Sequence, residues 1–194
     1  MSFKVSYHSI THPARAWRDA FTDKAGLVPA DAEGAGFFAH CYGHPNPALI
    51  VKVSLLADQC AKGYSNPARD DGYVTWIEAV SRYHSQFHPR IVSAQVHIDS
   101  KRHGVCIVVM ERLTPATMND TTNCAAMIDP RLVCVGDLES KARIIAKSRN
   151  PHTANLGKAL SETWAKHGKD LHNKNWMVRK TPTGSVPVIT DPAV

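Results

Sequence analysis

Two apolar runs joined by a short charged turn constrain the fold more than any other feature of this chain. Residues 91–98 (IVSAQVHI) and 104–111 (GVCIVVME) are rich in β-branched side chains, and the turn SKRHG links them. Runs of this kind, bounded by turn residues, are typical of strands. The pattern therefore predicts a β-hairpin over residues 91–111.

The rest of the first half also favours β structure. Residues 35–43 and 48–55 are rich in aromatic and β-branched residues, and HPNP between them predicts a turn. Residues 14–22 predict a short helix with Trp17 and Phe21 on one face. Residues 58–72 are polar and predict a loop.

The helical period of 3.6 residues dominates the second half. It also covers residues 73–86, where Val74, Ile77 and Val80 share one face. Residues 115–128 are ambiguous. The predicted helices are 73–86, 137–149 and 152–167, and a last hairpin turns at Gly184.

Composition limits the classes of function. The chain has 194 residues, 43% of them apolar, which suits one globular domain or two small lobes. The net charge is +6, but the basic residues are scattered, so we expect no direct nucleic-acid binding. No secretory signal or membrane span is visible, and the five cysteines form no CxxC pair. His84 and His88 have the spacing of a helical pair but no third metal ligand beside them.

Near the end of the chain, an aspartate, an asparagine and a second aspartate follow one another in an order that could serve phosphoryl transfer. In DLHNKN, Asp170 could orient an attacking hydroxyl, and Asn175 could offer an amide oxygen to magnesium. Asp191 follows the predicted strand VPVIT and could supply a charged oxygen ligand. Phosphoryl transfer needs this division between positioning the nucleophile and neutralising charge.

Two upstream elements extend this order. GAGFFAHCY contains glycines at 34 and 36, which let main-chain amides approach a phosphate closely. Lys52, within LIVKVS, is costly to bury unless its ammonium meets an anion. Glu78 on the next helix could hold that ammonium in place, although a solvated helix glutamate and an edge-strand lysine are open alternatives.

From about Glu33 to Asp191, the sequence resembles protein kinases. It is most similar to the early serine/threonine kinases of short-tailed, T-odd-type bacteriophages, through GAGFFAHCYGHPNPALIVKVS and DLHNKNWMVRKTPTGSVPVITDP. The resemblance implies an α+β, minimal two-lobe domain over 1–194. We expect an antiparallel β-rich N-lobe with one helix over 1–112, and a reduced, mostly helical C-lobe over 113–194.

The resemblance also implies roles for individual residues. Asp170 takes the catalytic position together with Lys52, and Asn175 and Asp191 take those of the magnesium ligands. The implied ATP-binding residues are Gly34, Gly36, Lys52, Glu78, Met110, Glu111 and Leu113. We expect transfer of the ATP γ-phosphate to host proteins in the cytoplasm of the infected bacterium, which would help to shut off host gene expression.

The sequence departs from ordinary kinases at two places. Gly168-Lys169 precedes Asp170 where His-Arg is usual, so we expect no control by a phosphorylated activation loop. Pro192-Ala193 follows Asp191 where Phe-Gly is usual, and no activation segment follows in this sequence. A minimal kinase, a substrate platform from another chain and a chain cut at a domain edge are alternative explanations.

Other functional classes stay open at this point. One is a phosphotransferase that acts on small molecules, since DLH is also found in aminoglycoside kinases. Another is a non-catalytic kinase-like protein that blocks a host factor by binding. The last is an unrelated α+β domain that carries these motifs by chance.

Overall fold

The computed structural model has an α+β fold whose chain forms two compact units. One unit combines Met1–Asp71 with Arg90–Arg112, and the other combines Gly72–Pro89 with Leu113–Val194. The division into lobes 1–112 and 113–194 stays a prediction. The structure describes residues 3–11, 14–28, 39–56, 72–98, 104–116, 124–130, 138–167, 171 and 175–192.

A five-stranded mixed sheet forms the first unit. Its strands are β1 (Val5–Ser9), β2 (Ala39–Gly43), β3 (Leu49–Leu56), β4 (Ile91–Ile98) and β5 (Gly104–Glu111). They lie in the order β1–β4–β5–β3–β2, so β3 and β5 are interior strands. Their near-continuous apolar sequences suit this position, since nearly all of their residues are buried.

One face of this sheet is covered by helix α1 (Ala14–Lys24). Trp17 and Phe21, four residues apart, lie on the same side of α1 and pack against the sheet. Trp17 also stacks on His97 at a ring-centroid distance of 4.2 Å. The buried cluster beneath α1 consists of Ile10, Val51, Val53, Leu55, Val105 and Ile107.

The helices of the second unit are α2 (Tyr73–Arg82), α3 (124–128), α4 (Leu138–Ala146) and α5 (Pro151–Trp164). Helix α5 is the centre of this group and buries Leu156 and Leu160 completely. It starts at a defined point because the Asn150 side chain accepts hydrogen bonds from the first amides of the helix. None of the described helices is long and apolar enough to cross a membrane.

A three-stranded antiparallel sheet completes the second unit. It contains β6 (Thr114–Pro115), β7 (Trp176–Thr181) and β8 (Gly184–Ile189) in sequence order. The tight turn between the last two strands requires glycine, since Gly184 has a φ of 137°. The hairpin register pairs Trp176 with Ile189 at the opposite end.

Most of the predicted elements are confirmed. Helices α4 and α5 end at Ala146 and Trp164 rather than at residues 149 and 167, and there are three larger differences. The sheet of the first unit is mixed, so the prediction of an antiparallel sheet is wrong at one edge, where β1 runs parallel to β4. Neither β1 nor β6 was predicted. Helix α2 ends at Arg82 rather than at residue 86, because Tyr83 has an extended backbone and Ser85 bonds to His152 of α5.

Candidate functional site

The end of the β7–β8 hairpin opposite its turn holds two of the predicted site residues. Asn175 immediately precedes β7, and its carbonyl oxygen accepts a hydrogen bond from the amide of Thr190 at 3.1 Å. The Thr190 hydroxyl donates to the same oxygen at 3.4 Å. Asp191 is the next residue, so the ladder brings the main chain of Asn175 to within one residue of Asp191.

Contacts from two other elements hold this end of the hairpin in place. The amide of Ile189 donates to the carbonyl of Phe87 at 3.0 Å. The indole Nε1 of Trp164, at the end of α5, donates to the carbonyl of Pro192 at 2.7 Å. Asp191 therefore lies between two anchored neighbours, which restricts its backbone on both sides.

The oxygen donors at this end suit a hard cation. Asn175 is 8% exposed and carries an amide oxygen, and half-buried Asp191 carries a carboxylate. Magnesium is usually bound by one or two protein carboxylates, waters and substrate phosphates rather than by a protein cage. Within the described residues, no group of three or more His, Cys, Asp or Glu side chains could hold a metal ion. Asp170, the third predicted residue, lies outside the described residues.

Lys52 lies in the middle of β3 in the first unit and is only 8% exposed. In the sheet it is paired with Cys41 of β2 on one side and Val108 of β5 on the other. Met110 lies on the same face, since it is two residues beyond Val108 on β5. The sheet thus places Lys52 and the predicted ATP-binding residue Met110 on one surface.

The segment after β5 is held by hydrogen bonds within the first unit. The amide of Glu111 donates to the carbonyl of Arg90 at 3.0 Å, and its carboxylate accepts from the Arg90 amide at 2.8 Å. The amide of Arg112 donates to the carbonyl of Ala48 at 2.8 Å. These bonds fix the main chain at Glu111 and Arg112, and the predicted ATP-binding residue Leu113 follows in the second unit.

The contacts described above do not include three other predicted site residues, Gly34, Gly36 and Glu78. Gly34 and Gly36 lie outside the described residues. Glu78 lies on α2 and is half-buried, but it belongs to the second unit, whereas Lys52 belongs to the first. Their pairing stays a prediction.

Arg179 was missed by the sequence analysis, although it organises the same hairpin. It is 7% exposed, and its guanidinium donates to the carbonyl oxygens of Gln86 at 2.6 Å and His88 at 2.8 Å. The available signal was an arginine directly after the apolar residues WMV. Arg179 ties the segment after α2 to β7.

The pKa of the buried ring of His88 is strongly perturbed. Burial lowers its pKa to about 3, and the positive charges of His84 and Arg179 act in the same direction, while the Tyr83 backbone opposes them. Within the described part of the chain, neither ring nitrogen has a hydrogen-bond partner of ordinary geometry. The ring instead packs edge-on against Trp76 at 5.2 Å. His88 is therefore a neutral packing residue at neutral pH.

Comparison with known proteins identifies no family for this chain. No protein-family model matches the sequence, and no curated protein is significantly similar to it.

Proposed function

We propose that this protein is an ATP-dependent serine/threonine protein kinase of the phage type, with a kinase-like fold, and that it modifies host proteins in the bacterial cytoplasm. The observation that carries the proposal is the ladder between Asn175 and Thr190. It sets an amide-bearing residue and the Asp191 carboxylate at one hairpin end, five and twenty-one residues after Asp170. In protein kinases, the catalytic aspartate is followed along the chain by an asparagine and an aspartate that hold magnesium.

The order of elements around Lys52 along the chain supports the same function. In protein kinases, the lysine that binds the phosphates lies on the third strand, and a helix that carries its glutamate partner follows. Here Lys52 lies on β3, and the next described helix, α2, carries Glu78.

Each residue has a defined task in this proposal. Lys52 binds the ATP phosphates, and the main chain at Glu111 and Leu113 binds the adenine edge. Asp170 accepts the proton of the substrate hydroxyl and orients its oxygen toward the γ-phosphorus. Asn175 and Asp191 would hold magnesium, which neutralises charge on the phosphates when bound.

The test is transfer of labelled phosphate from ATP in bacterial host extract with magnesium. Wild type is compared with Asp170→Ala, and Asp23→Ala on the exposed side of α1 is the matched control. We expect labelled protein bands with wild type and the control, and none with Asp170→Ala.

Other results would assign the protein to a different class. Absence of labelled protein with wild type, together with transfer to small hydroxyl compounds, would identify a small-molecule phosphotransferase. ATP binding without any transfer would identify a kinase-like binding protein. No transfer and no ATP binding would refute the proposal altogether.

A further inference from the structure

A cysteine lies directly beside Lys52 on the sheet. Cys41 of β2 is the antiparallel partner of Lys52 in the ladder. Residues paired in this way point to the same face, with their Cβ atoms about 5 Å apart. Cys41 carries a reduced thiol and is half-buried, on the edge strand of the sheet.

Ser54 provides an independent sign that this face receives a ligand. It follows Lys52 by two residues on β3, so it shares that face. Its side chain is 2% exposed, and its hydroxyl has no hydrogen-bond partner within the described part of the chain. A buried hydroxyl without a partner is unfavourable, and a polar ligand bound on this face would supply one.

We propose that Cys41 lines the nucleotide-binding face and is a modification site, at which addition of a thiol-directed electrophile excludes the nucleotide from Lys52. This inference rests on the proposed ATP site. An adduct on Cys41 extends from the position next to the ammonium, so it occupies volume that the phosphates or the ribose need. Closely packed sites do not accept such added volume.

N-ethylmaleimide is a suitable probe. The Cys41 sulfur adds to one alkene carbon of the maleimide, the thiol proton is transferred to the other carbon, and no group leaves. Cys106 is fully buried on β5 and serves as an internal reference, since it stays unlabelled while the sheet is folded. Peptide mapping by mass spectrometry separates the two sites.

The experiment has two measurements on the full chain. Calorimetry gives the affinity for Mg·ATP before and after treatment, for wild type and for Cys41→Ser. We expect treatment to weaken ATP binding by wild type at least about tenfold. The affinity of Cys41→Ser for ATP should not change on treatment. Mapping gives the rate of Cys41 labelling, which we expect to fall about elevenfold when ATP is present at ten times its Kd.

The outcomes separate this inference from the proposed function. If untreated wild type binds ATP and the Cys41 adduct binds it equally well, the inference is overturned and the ATP site stands. Labelling of Cys41 that is absent, or unaffected by ATP, also overturns it. If untreated wild type does not bind ATP at all, the proposed function and this inference fail together. The protection measurement starts from unmodified protein. It therefore tests whether Cys41 lines the nucleotide-binding face even if the adduct unfolds the sheet and exposes Cys106.

Discussion

The carbonyl oxygen of Asn175 accepts both the main-chain amide and the hydroxyl of Thr190, at 3.1 and 3.4 Å. These two hydrogen bonds join β7 and β8 at the open end of the hairpin, opposite its turn. A side chain on the next residue, Asp191, is therefore presented from a fixed main chain. Catalytic groups need this kind of support, because small displacements of a positioned group reduce the rate strongly.

Substitution of Asp191 should abolish most of the activity without unfolding the protein. We expect Asp191→Ala to lower phosphoryl transfer by at least ~100-fold, because a carboxylate that holds magnesium cannot be replaced by water alone. The thermal unfolding midpoint should stay close to that of wild type, since Asp191 is only half-buried. Rates are measured with labelled ATP, and Asp23→Ala is the control. Unchanged turnover in Asp191→Ala would remove this residue from the metal site.

Lys52 should contribute to ATP binding through its charge. We expect Lys52→Met, which keeps the buried aliphatic stem, to weaken Mg·ATP binding by about tenfold or more, the usual loss for a charge-assisted hydrogen bond. Calorimetry measures the affinity, and Lys180→Met, an exposed lysine on β7, is the control. Equal affinities of Lys52→Met and wild type would contradict the assigned role.

The elements predicted correctly from sequence are those defined by local pattern. The β4–β5 hairpin was predicted with its observed bounds, because two β-branched runs and the turn between them are adjacent in the chain. β1 was missed because it pairs with β4, about ninety residues away along the chain. The end of α2 was misplaced for a similar reason, since Ser85 is held by His152 on a distant helix.

For the candidate site, too, the sequence predicted the features that depend on local pattern and missed those that depend on distant residues. The spacing in DLHNKN indicated Asn175, and the strand that follows indicated a hairpin. No local pattern could show that Thr190 bonds to Asn175, or that Cys41 is paired with Lys52. Both facts depend on strand register, which is set by long-range pairing.

Arg179 should be essential for stability. Its guanidinium satisfies two carbonyl oxygens of the segment after α2, at Gln86 and His88. We expect Arg179→Met to lower the free energy of unfolding by about 2–4 kcal/mol, because both carbonyls lose a charged donor. Urea denaturation measures this change. Arg179→Lys should recover only part of it, since an ammonium lacks the fork that reaches both oxygens.

The exposed neighbour Lys180 is the natural control for this experiment. Lys180→Met should change the free energy of unfolding by no more than about 0.5 kcal/mol, as is usual for surface positions. An Arg179→Met protein as stable as Lys180→Met would show that the guanidinium contacts do not contribute to folding.

His88 should make the protein sensitive to acid. Its pKa is lowered by burial from 6.5 to about 3, so between these values the unfolded chain binds the proton and the folded chain does not. The resulting stability is fully present above pH 6.5 and is lost as the pH falls toward 3. Between pH 7.5 and pH 5 we expect wild type to lose about 2 kcal/mol that His88→Phe does not lose. Urea denaturation across this range measures the difference, and His40→Gln, an exposed histidine, should behave as wild type.

Gly157 should not tolerate even alanine, although it lies inside helix α5. A Cβ at this position would lie 2.3 Å from the amide nitrogen of Ala146 and 2.7 Å from its Cα, so α4 would have to move. Alanine gains about 1 kcal/mol of helix propensity over glycine. We expect the steric conflict to outweigh this gain, so that Gly157→Ala lowers the free energy of unfolding by about 2 kcal/mol. Thermal and urea unfolding measure the change, and Ser161→Ala, exposed on the same helix, should be nearly neutral. A Gly157→Ala protein more stable than wild type would mean that α4 does not pack against α5 at this glycine.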